Sequence, residues 1–435
     1  MTTAARGGEP GEVGPSTPEN PPPLSAARAW AVTLVATSTM AISYLDRQVL
    51  AVLAPTVQAE LHIGDEAYGW LQSAFSLAYL ASAPVAGLLL ERVGIRRGML
   101  VAVLAWSAVA AMHAGAPTYV ALFSLRLLLG ATESPSFPGS AATIARSQPA
   151  HARARALGVL YTGSSFGAMI APPLATGLTA LLGSWRGAFV GTAVIGLAWV
   201  PLWLWVTGHP TLRSRLGHGL GSRPAGPGLL VVGRHRGVVR ASILVAAASP
   251  LFAFVLLWGS KLLTEAHGVE QADVGRYLWL PPLLFDLGAV FFGHLASVHA
   301  ARHGVGSVPV AIVLVALALA LALGLLPFVH GPWPVVLVAG VAMAGGAGLF
   351  AILSADMITR VGPDVAATAG GFTASVQSLL YVVANPLFGR GVATFGGYDE
   401  VVFGIVLWLV PGALVWLVWR PDTTPIVTGG PGGAR

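Results

Sequence analysis

Long apolar segments separated by short polar ones follow one another along nearly the whole chain. Each segment is about as long as a helix must be to cross a hydrocarbon core of about 30 Å, which takes about 20 residues. The segments lack the alternation of membrane β-strands, and lipid offers no partners to free backbone groups, so the pattern predicts helices. The twelve predicted spans are approximately 29–52, 67–90, 98–115, 117–145, 156–182, 186–207, 240–264, 273–298, 307–329, 333–357, 366–394 and 400–419. The predicted fold class is therefore an all-α membrane protein of about twelve transmembrane helices.

The composition indicates a membrane protein rather than a soluble one. Of the 435 residues, 55% are hydrophobic and only 10% are charged, whereas soluble domains carry about 25% charged residues. The mean hydropathy is +0.74. The sequence has no cysteine, so we expect neither disulfides nor a cysteine-ligated metal.

One polar segment divides the predicted helices into two groups of six. The stretch 208–239 combines Gly, Pro, Arg and His and is too polar to span a membrane. It predicts a cytoplasmic linker between two six-helix bundles at residues 28–207 and 240–420, a plan that is common in transporters. The predicted tails are 1–27, which is rich in Pro, Gly, Ser and Thr and has no signal-peptide core, and 421–435.

The arginines are distributed unevenly between the two sides of the predicted membrane protein. Most fall in loops on the side of the linker, and the opposite side receives mainly acidic residues. By the positive-inside rule, both termini are expected in the cytoplasm of a multi-pass protein of the cell membrane. The formal charge of +6 is spread over these loops, so we do not expect nucleic acid as a partner.

Two loops at equivalent places in the two halves share a pattern. They are GLLLERVGIRRG at 87–98 and GHLASVHAARHG at 293–304. The first resembles the loop motif GxxxDRxGRR of the major facilitator superfamily, with Glu91 where Asp is usual, and the second has Ser297 near the position of the expected acid. The resemblance implies the fold of that superfamily, two six-helix bundles, and usually a monomer.

Within that superfamily, the chain resembles the anion:cation symporter family and its hexuronate-transporter-like members. The resembling segments are YLDRQVLAVLAPTVQAEL at 44–61, YGWLQSAFSLAYL at 68–80, LRLLLGATESPSFP at 125–138, GSSFGAMIAPPLA at 163–175 and YLWLPPLLFDLGAVFFG at 277–293. With the matching hydropathy, the resemblance covers about residues 28–420. It implies a secondary transporter of organic anions, with hexuronates and other sugar acids as the leading substrate class.

Four charged residues lie inside the predicted spans: Asp46, Arg47, Arg126 and Glu133. A charge at membrane depth costs at least about 2.5–3.5 kcal/mol, so such residues usually face a functional cavity. With a helical rise of about 1.5 Å per residue, Asp46, Arg47 and Arg126 are predicted in one layer near the midplane. Glu133 is predicted on nearly the same face as Arg126, roughly 10 Å deeper. This spacing predicts a substrate station above a proton station.

Paired arginines favour an organic anion, because the planar guanidinium group can donate two parallel hydrogen bonds to a carboxylate. Burial favours the protonated form of an acid and a nearby arginine favours the ionised form. A substrate that occupies the arginine would therefore promote proton uptake, and the coupling must be reciprocal. The resemblance implies the same roles, with Arg47 and Arg126 as anion ligands and Asp46 and Glu133 as proton-coupling acids.

Weaker candidates lie around these charges and in the second half. Tyr44 and Tyr79 match aromatic neighbours used in the family, although both are equally compatible with packing. Gln377, Tyr381 and Asn385 recur about every fourth residue and so share one helix face, and we predict that Gln377 and Asn385 contact the substrate. Further residues have plainer interpretations: Asp46 and Arg47 as a structural pair, Lys261 as a snorkelling side chain near the outer mouth, and Asp286 as a hydrogen-bonding partner of a neighbouring helix.

Other functions are less compatible with the sequence. There is no phosphate-binding loop of the Walker type, and His299 and His303 have no third ligand nearby in sequence, so we expect no enzyme, no cofactor and no metal site. The predicted partners are a small organic anion, protons and the lipid bilayer. The alternatives that remain open are a proton-coupled exporter of drugs or organic cations, a transporter of small lactate-like monocarboxylates, and a non-transporting receptor on the same fold.

Overall fold

The computed structural model describes residues 24–217, 229–304, 307, 309–362 and 365–421, which are almost entirely helical. Most of the two predicted tails, residues 218–228 of the predicted linker and the side chain of Glu91 lie outside the described residues. The helices of the first half are α1 Ala26–Val52, α2 Ala54–Leu61, α3 Asp65–Val93, α4 Ile95–Met112, α5 Tyr119–Glu133, α6 Ser136–Ser147, α7 Ala150–Leu182 and α8 Trp185–Val206. Those that follow are α9 Pro210–Gly217, α10 Leu229–Gly233, α11 Arg236–Lys261, α12 Leu280–His303, α13 Val310–Leu321, α14 Pro332–Val361, α15 Ala366–Phe395 and α16 Asp399–Val418.

Each of the twelve predicted spans coincides with a helix, and two of them differ in detail. The span predicted at 117–145 is divided into α5 and α6 at Ser134 and Pro135. The span predicted from residue 273 begins later, because Gln271–Arg276 is a 3-10 helix and α12 starts at Leu280. Proline lacks a backbone N–H and is tolerated in the first turn of a helix, and Pro281 and Pro282 occupy that turn in α12.

The predicted site lies on four helices, α1, α3, α5 and α15. Eight helical segments in the described part of the chain are long and apolar enough to cross a membrane by length and composition. The other spans are α1, α3, α15 and the divided pair α5 and α6. All eight predicted site residues lie on these helices: Tyr44, Asp46 and Arg47 on α1, Tyr79 on α3, Arg126 and Glu133 on α5, and Gln377 and Asn385 on α15.

The two halves pack together where α1 ends and α3 begins, a surface that we call the closed face (Val52, Asp65, Lys261 and Phe395). The surface that contains Ala26, Val206 and Arg236 is the linker face. At the closed face, α3 packs against α15 and α1 against α11. A Cβ atom at Gly69 would lie 2.4 Å from the carbonyl oxygen of Asn385, so this approach of the two helices requires glycine.

Hydrogen bonds and ion pairs reinforce the closed face. Lys261 Nζ contacts Asp65 Oδ1 at 2.8 Å and also pairs with Glu265. The hydroxyl of Ser260 donates to the backbone oxygen of Val52 at 2.5 Å, and Gln271 Nε2 donates to the same oxygen at 2.7 Å. These contacts hold the two halves together on the side opposite the linker. Lys261 is 1% exposed, so the snorkelling interpretation of this residue is wrong.

Candidate functional site

Arg47 on α1 and Glu133 on α5 form an ion pair inside the first half. Arg47 Nε donates to Glu133 Oε2 at 2.8 Å. The hydroxyl of Ser43 donates to the same carboxylate oxygen at 2.7 Å and accepts a hydrogen bond from Arg47 Nη2 at 2.9 Å. Glu133 is fully buried, whereas the Arg47 side chain is 16% exposed. A ligand can therefore reach the pair from the arginine side.

The predicted depth of Glu133 relative to Arg47 is wrong, because the two side chains are in direct contact. The rise per residue gives the depth of each residue's backbone but not the position of its side chain. Side chains on a helix tilt towards its N-terminus, and the Arg47 guanidinium group lies one turn back, against Ser43. The residues predicted for the substrate and proton stations are thus adjacent rather than two turns apart.

Three aromatic rings surround the Arg47 guanidinium group. Its central carbon lies 4.7 Å from the ring centroids of Tyr44, Phe75 and Tyr79. Such cation–π contacts are each worth about 0.5–1 kcal/mol when exposed and more when desolvated. The Phe75 ring also lies 5.1 Å from the guanidinium carbon of Arg126. Phe75, which the sequence analysis missed, thus contacts both predicted anion ligands.

Arg126 on α5 is 1% exposed and has only one hydrogen bond among the described residues. Its Nη2 donates to Gln72 Oε1 at 2.8 Å, and Gln72 Nε2 donates to the Tyr68 hydroxyl at 2.7 Å. Tyr68 in turn donates to the backbone oxygen of Leu257 in the second half. Within the described part of the chain, Arg126 Nε and Nη1 have no partner, although buried charged donors are almost always satisfied. Two unused donors on a fixed guanidinium group are suited to an anion.

The Asp46 side chain forms no hydrogen bond or ion pair with Arg47 or with any other described residue. Its carboxyl group is 2% exposed, and neither oxygen accepts a hydrogen bond from the described residues. The hydroxyl of Thr192 on α8 approaches the carboxyl group without reaching hydrogen-bond geometry. Successive residues on a helix point about 100° apart, so Asp46 and Arg47 face different neighbours. Asp46 therefore does not pair with Arg47, and the interpretation of the two as a structural pair is wrong.

The face of α15 that carries Gln377, Tyr381 and Asn385 divides between two environments. Tyr381 interacts electrostatically with Tyr44 and Arg47 across the two halves, and Gln377 interacts with Tyr381. Asn385 is fully buried, accepts a hydrogen bond from Trp258 Nε1 at 3.0 Å and donates to the Tyr381 backbone oxygen at 2.8 Å. In this conformation Asn385 thus supports the closed face, while Tyr381 lies near Arg47 and Gln377 lies next to Tyr381.

Sequence reasoning overlooked the residues that position the charges, notably Ser43, Gln72 and Phe75. A signal for two of them was present in the segment YGWLQSAFSLAYL. Gln72 is a polar residue within an apolar span, four residues after Tyr68, and Phe75 precedes Tyr79 by four residues, with ring centroids 5.9 Å apart. Spacing of four residues places both pairs on common helix faces.

Comparisons with known proteins agree with this architecture. The model of the Major Facilitator Superfamily matches residues 36–384. The chain is 26% identical over 420 residues to the hexuronate transporter of Escherichia coli (strain K12), with 91% of this chain and 94% of that protein covered. It is 27% identical over 286 residues to the galacturonate transporter of Dickeya chrysanthemi, with 62% and 82% covered. Among solved structures, it resembles a bacterial homolog of the human lysosomal transporter Spinster, in an inward-facing and occupied conformation, with a TM-score of 0.72, 18% identity and coverage of 92% and 100%. At that identity the likeness supports the fold alone.

Proposed function

Since the chain belongs to the major facilitator superfamily, we propose that this multi-pass membrane protein is a secondary active transporter of sugar-acid anions, hexuronates first. Transport is coupled to protons in symport and proceeds by alternating access between the two halves. The substrate lies between the Arg47 and Arg126 side chains. By the positive-inside rule, the linker face is cytoplasmic, and the transporter is active as a monomer.

One observation carries the proposal for an anion: the two unpartnered nitrogens of buried Arg126. An unsatisfied charged donor costs more than about 1–3 kcal/mol, and a carboxylate would remove that cost with short charge-assisted hydrogen bonds. An organic cation would gain nothing from this group. The alternative of a drug or cation exporter therefore leaves the most unusual feature of the site unexplained.

The ion pair between Arg47 and Glu133 provides the coupling. A substrate carboxylate that engages Arg47 competes with Glu133, whose other carboxylate oxygen has no partner among the described residues. Glu133 then takes up a proton, because a buried carboxylate without its counter-ion is unstable. Linkage requires that protonation of Glu133 also strengthen substrate binding. Asp46 serves as the second proton-coupling acid.

The names of the relatives support a sugar acid rather than a small lactate-like acid. Both relatives described above carry the names of six-carbon uronate transporters. The aromatic rings of Tyr44 and Tyr79 and the polar side chains of Gln377 and Tyr381 suit a polyhydroxylated substrate, because they combine apolar faces with hydrogen-bonding groups.

The test is uptake by proteoliposomes that contain the purified protein. The panel is galacturonate, glucuronate, lactate and a cationic dye, each with and without an inward proton gradient. We expect accumulation of uronates that depends on the gradient and no transport of the dye. Uronate uptake that ignores the gradient would contradict symport, and dye transport without uronate transport would favour the exporter.

The coupling role of Glu133 has a separate test in the same system. The variant Glu133→Gln should lose gradient-driven accumulation but retain exchange of external for internal uronate, because exchange requires no net proton movement. The matched control is Glu270→Gln, which neutralises an exposed acid at the closed face and should behave as wild type. Persistent accumulation in Glu133→Gln would exclude this residue as the coupling acid.

A further inference from the structure

Asp286 on α12 is an acid at mid-depth that the proposed mechanism does not use. Its Oδ1 accepts a hydrogen bond from the hydroxyl of Ser165 on α7 at 2.5 Å. No lysine, arginine or histidine of the described chain forms an ion pair with it, in contrast to Glu133. An unpaired acid inside a membrane bundle is costly and usually functional.

The Asp286 side chain lines a cavity of about 350 Å³ between α1, α7 and α12. This volume falls within the range of about 300–1,000 Å³ that is typical of pockets for small ligands. The other polar groups of the lining are hydroxyls, those of Thr37, Ser38 and Thr162, and the remainder of the wall is apolar. Asp286 is thus the one charged group of the lining.

The cavity and the arginine site lie at neighbouring levels along α1. Gly163 and Gly167 of α7 pack against Thr37 and Ala41 of α1, so Ser165 and its partner Asp286 lie level with that part of α1. The Arg47 guanidinium group lies level with Ser43. The two levels differ by about three to five residues, which is roughly 5–8 Å along the helix. This offset along the helix axis is comparable to the length of a six-carbon chain.

We propose that Asp286 determines charge specificity at the end of the substrate remote from the arginines. This inference rests on the proposed function and deepens it. An ionised carboxylate only accepts hydrogen bonds, so Asp286 binds sugar hydroxyls there and repels a second carboxylate. Selection by repulsion of the wrong partner is a common source of specificity. The transporter therefore accepts monocarboxylic sugar acids and rejects the corresponding dicarboxylic acids.

Galactonate and galactarate make a sharp test of this specificity. Both are open six-carbon chains with the same hydroxyl stereochemistry, and they differ only at one end, where galactonate has a CH₂OH group and galactarate a second carboxylate. Uptake of each is measured in proteoliposomes with an inward proton gradient. We expect wild type to prefer galactonate by about tenfold or more, since juxtaposed like charges are strongly unfavourable.

The variant Asp286→Asn should reduce this preference to within about threefold, mainly through a gain in galactarate uptake. Asp286→Glu retains the charge and Ser165→Ala retains the acid without its hydrogen bond, so both should keep the wild-type preference. A ratio of two substrates within one variant is independent of the amount of folded protein. If Asp286→Asn does not fold, Asp286→Ser is measured in its place.

The outcomes separate this inference from the proposed function. Wild type that transports neither galactonate nor galacturonate contradicts both. Wild type that transports galactonate and galactarate equally well contradicts only the role of Asp286. An unchanged preference in Asp286→Asn, with both substrates slowed alike, assigns the Asp286 side chain to contact between the two halves and also overturns the proposal.

Discussion

Each half of the molecule contains an arginine that is at most 1% exposed, and these two arginines differ in how many hydrogen-bond partners they have. Arg240 in the second half is 0% exposed and Arg126 in the first half is 1% exposed. All three side-chain nitrogens of Arg240 have partners: Nε and Nη2 donate to the backbone oxygen of Trp416 at 3.0 and 2.7 Å, and Nη1 pairs with Asp356. Among the residues that the structure describes, Arg126 has one hydrogen-bond partner, Gln72, and two nitrogens without a partner.

The difference shows that burial of a charge does not by itself mark a binding site. For Arg240, the cost of burial is offset within the protein by Asp356. The same carboxylate also accepts a hydrogen bond from Arg360 Nε at 2.9 Å. For Arg126 the cost is not offset by the protein. Because an unsatisfied buried donor is expensive, we infer that a ligand completes the first site, whereas the second is complete and structural.

The largest expected effect comes from breaking the complete site. Asp356→Asn leaves the buried charge of Arg240 without its counter-ion, and removal of one partner of a buried pair costs about 3–5 kcal/mol. We expect a much lower unfolding temperature in detergent, measured by tryptophan fluorescence. The folded fraction should bind galacturonate with unchanged affinity, because Asp356 contacts no residue of the arginine site.

The control is Asp273→Asn, which removes an exposed pair with Arg276 at 3.4 Å. Exposed pairs contribute about 0–1 kcal/mol, so its unfolding temperature should barely change. A loss of galacturonate affinity in folded Asp356→Asn would show that the two arginine sites are not independent.

The second prediction replaces the buried arginine of each half by lysine. Arg126→Lys removes the planar fork, and each charged hydrogen bond lost to the substrate is worth about 1.5–3 kcal/mol, or roughly 10–100-fold in affinity. Arg240→Lys should instead reduce stability and leave the affinity of the folded protein unchanged. Titration calorimetry with galacturonate measures the affinity, and thermal unfolding measures the stability. Normal affinity in Arg126→Lys would remove the argument for an anion at this position.

The sequence predicted the fold well because the hydrocarbon core imposes length and hydropathy on every span. It also drew attention to Arg47, Arg126 and Glu133, since charge is conspicuous among apolar residues, and the structure places all three inside the first half. It did not indicate that Arg240, at the junction of the basic linker and the predicted span 240–264, is buried as completely as Arg126. Whether a guanidinium group has partners depends on residues far apart in sequence, such as Asp356 and Trp416, which hydropathy does not relate.

The sequence also did not predict the directions in which side chains point. Asp46 and Arg47 are consecutive, and their depth along α1 is nearly the same, yet one faces α8 and the other contacts Glu133 on α5. Asn385 likewise shares a face with Tyr381, but its side-chain oxygen accepts a hydrogen bond from Trp258 at the closed face. These outcomes depend on the packing of neighbouring helices, which the periodicity of one segment does not specify.

The third prediction gives Arg126 a carboxylate partner within the protein, as Arg240 has in Asp356. Gln72→Glu places a carboxylate against Arg126 Nη2, where the amide oxygen now lies at 2.8 Å. An internal anion should compete with the substrate and lower galacturonate affinity by roughly tenfold, a cost of about 1.4 kcal/mol. Gln72→Met, of similar shape and without charge, should have a smaller effect. Equal affinity in Gln72→Glu and wild type would indicate that Arg126 does not contact the substrate.

The smallest expected effect concerns the rings that contact each arginine. Tyr79→Leu removes one of three rings at 4.7 Å from Arg47, so galacturonate affinity should fall about two- to fivefold, in keeping with about 0.5–1 kcal/mol per cation–π contact. Tyr79→Phe retains the ring and should lose less. Trp416→Leu removes the ring at 3.9 Å from Arg240 and should lower the unfolding temperature without changing affinity. If the two leucine variants instead affect stability alone, the Arg47 rings serve packing, and the functional difference between the halves is confined to the unpartnered nitrogens of Arg126.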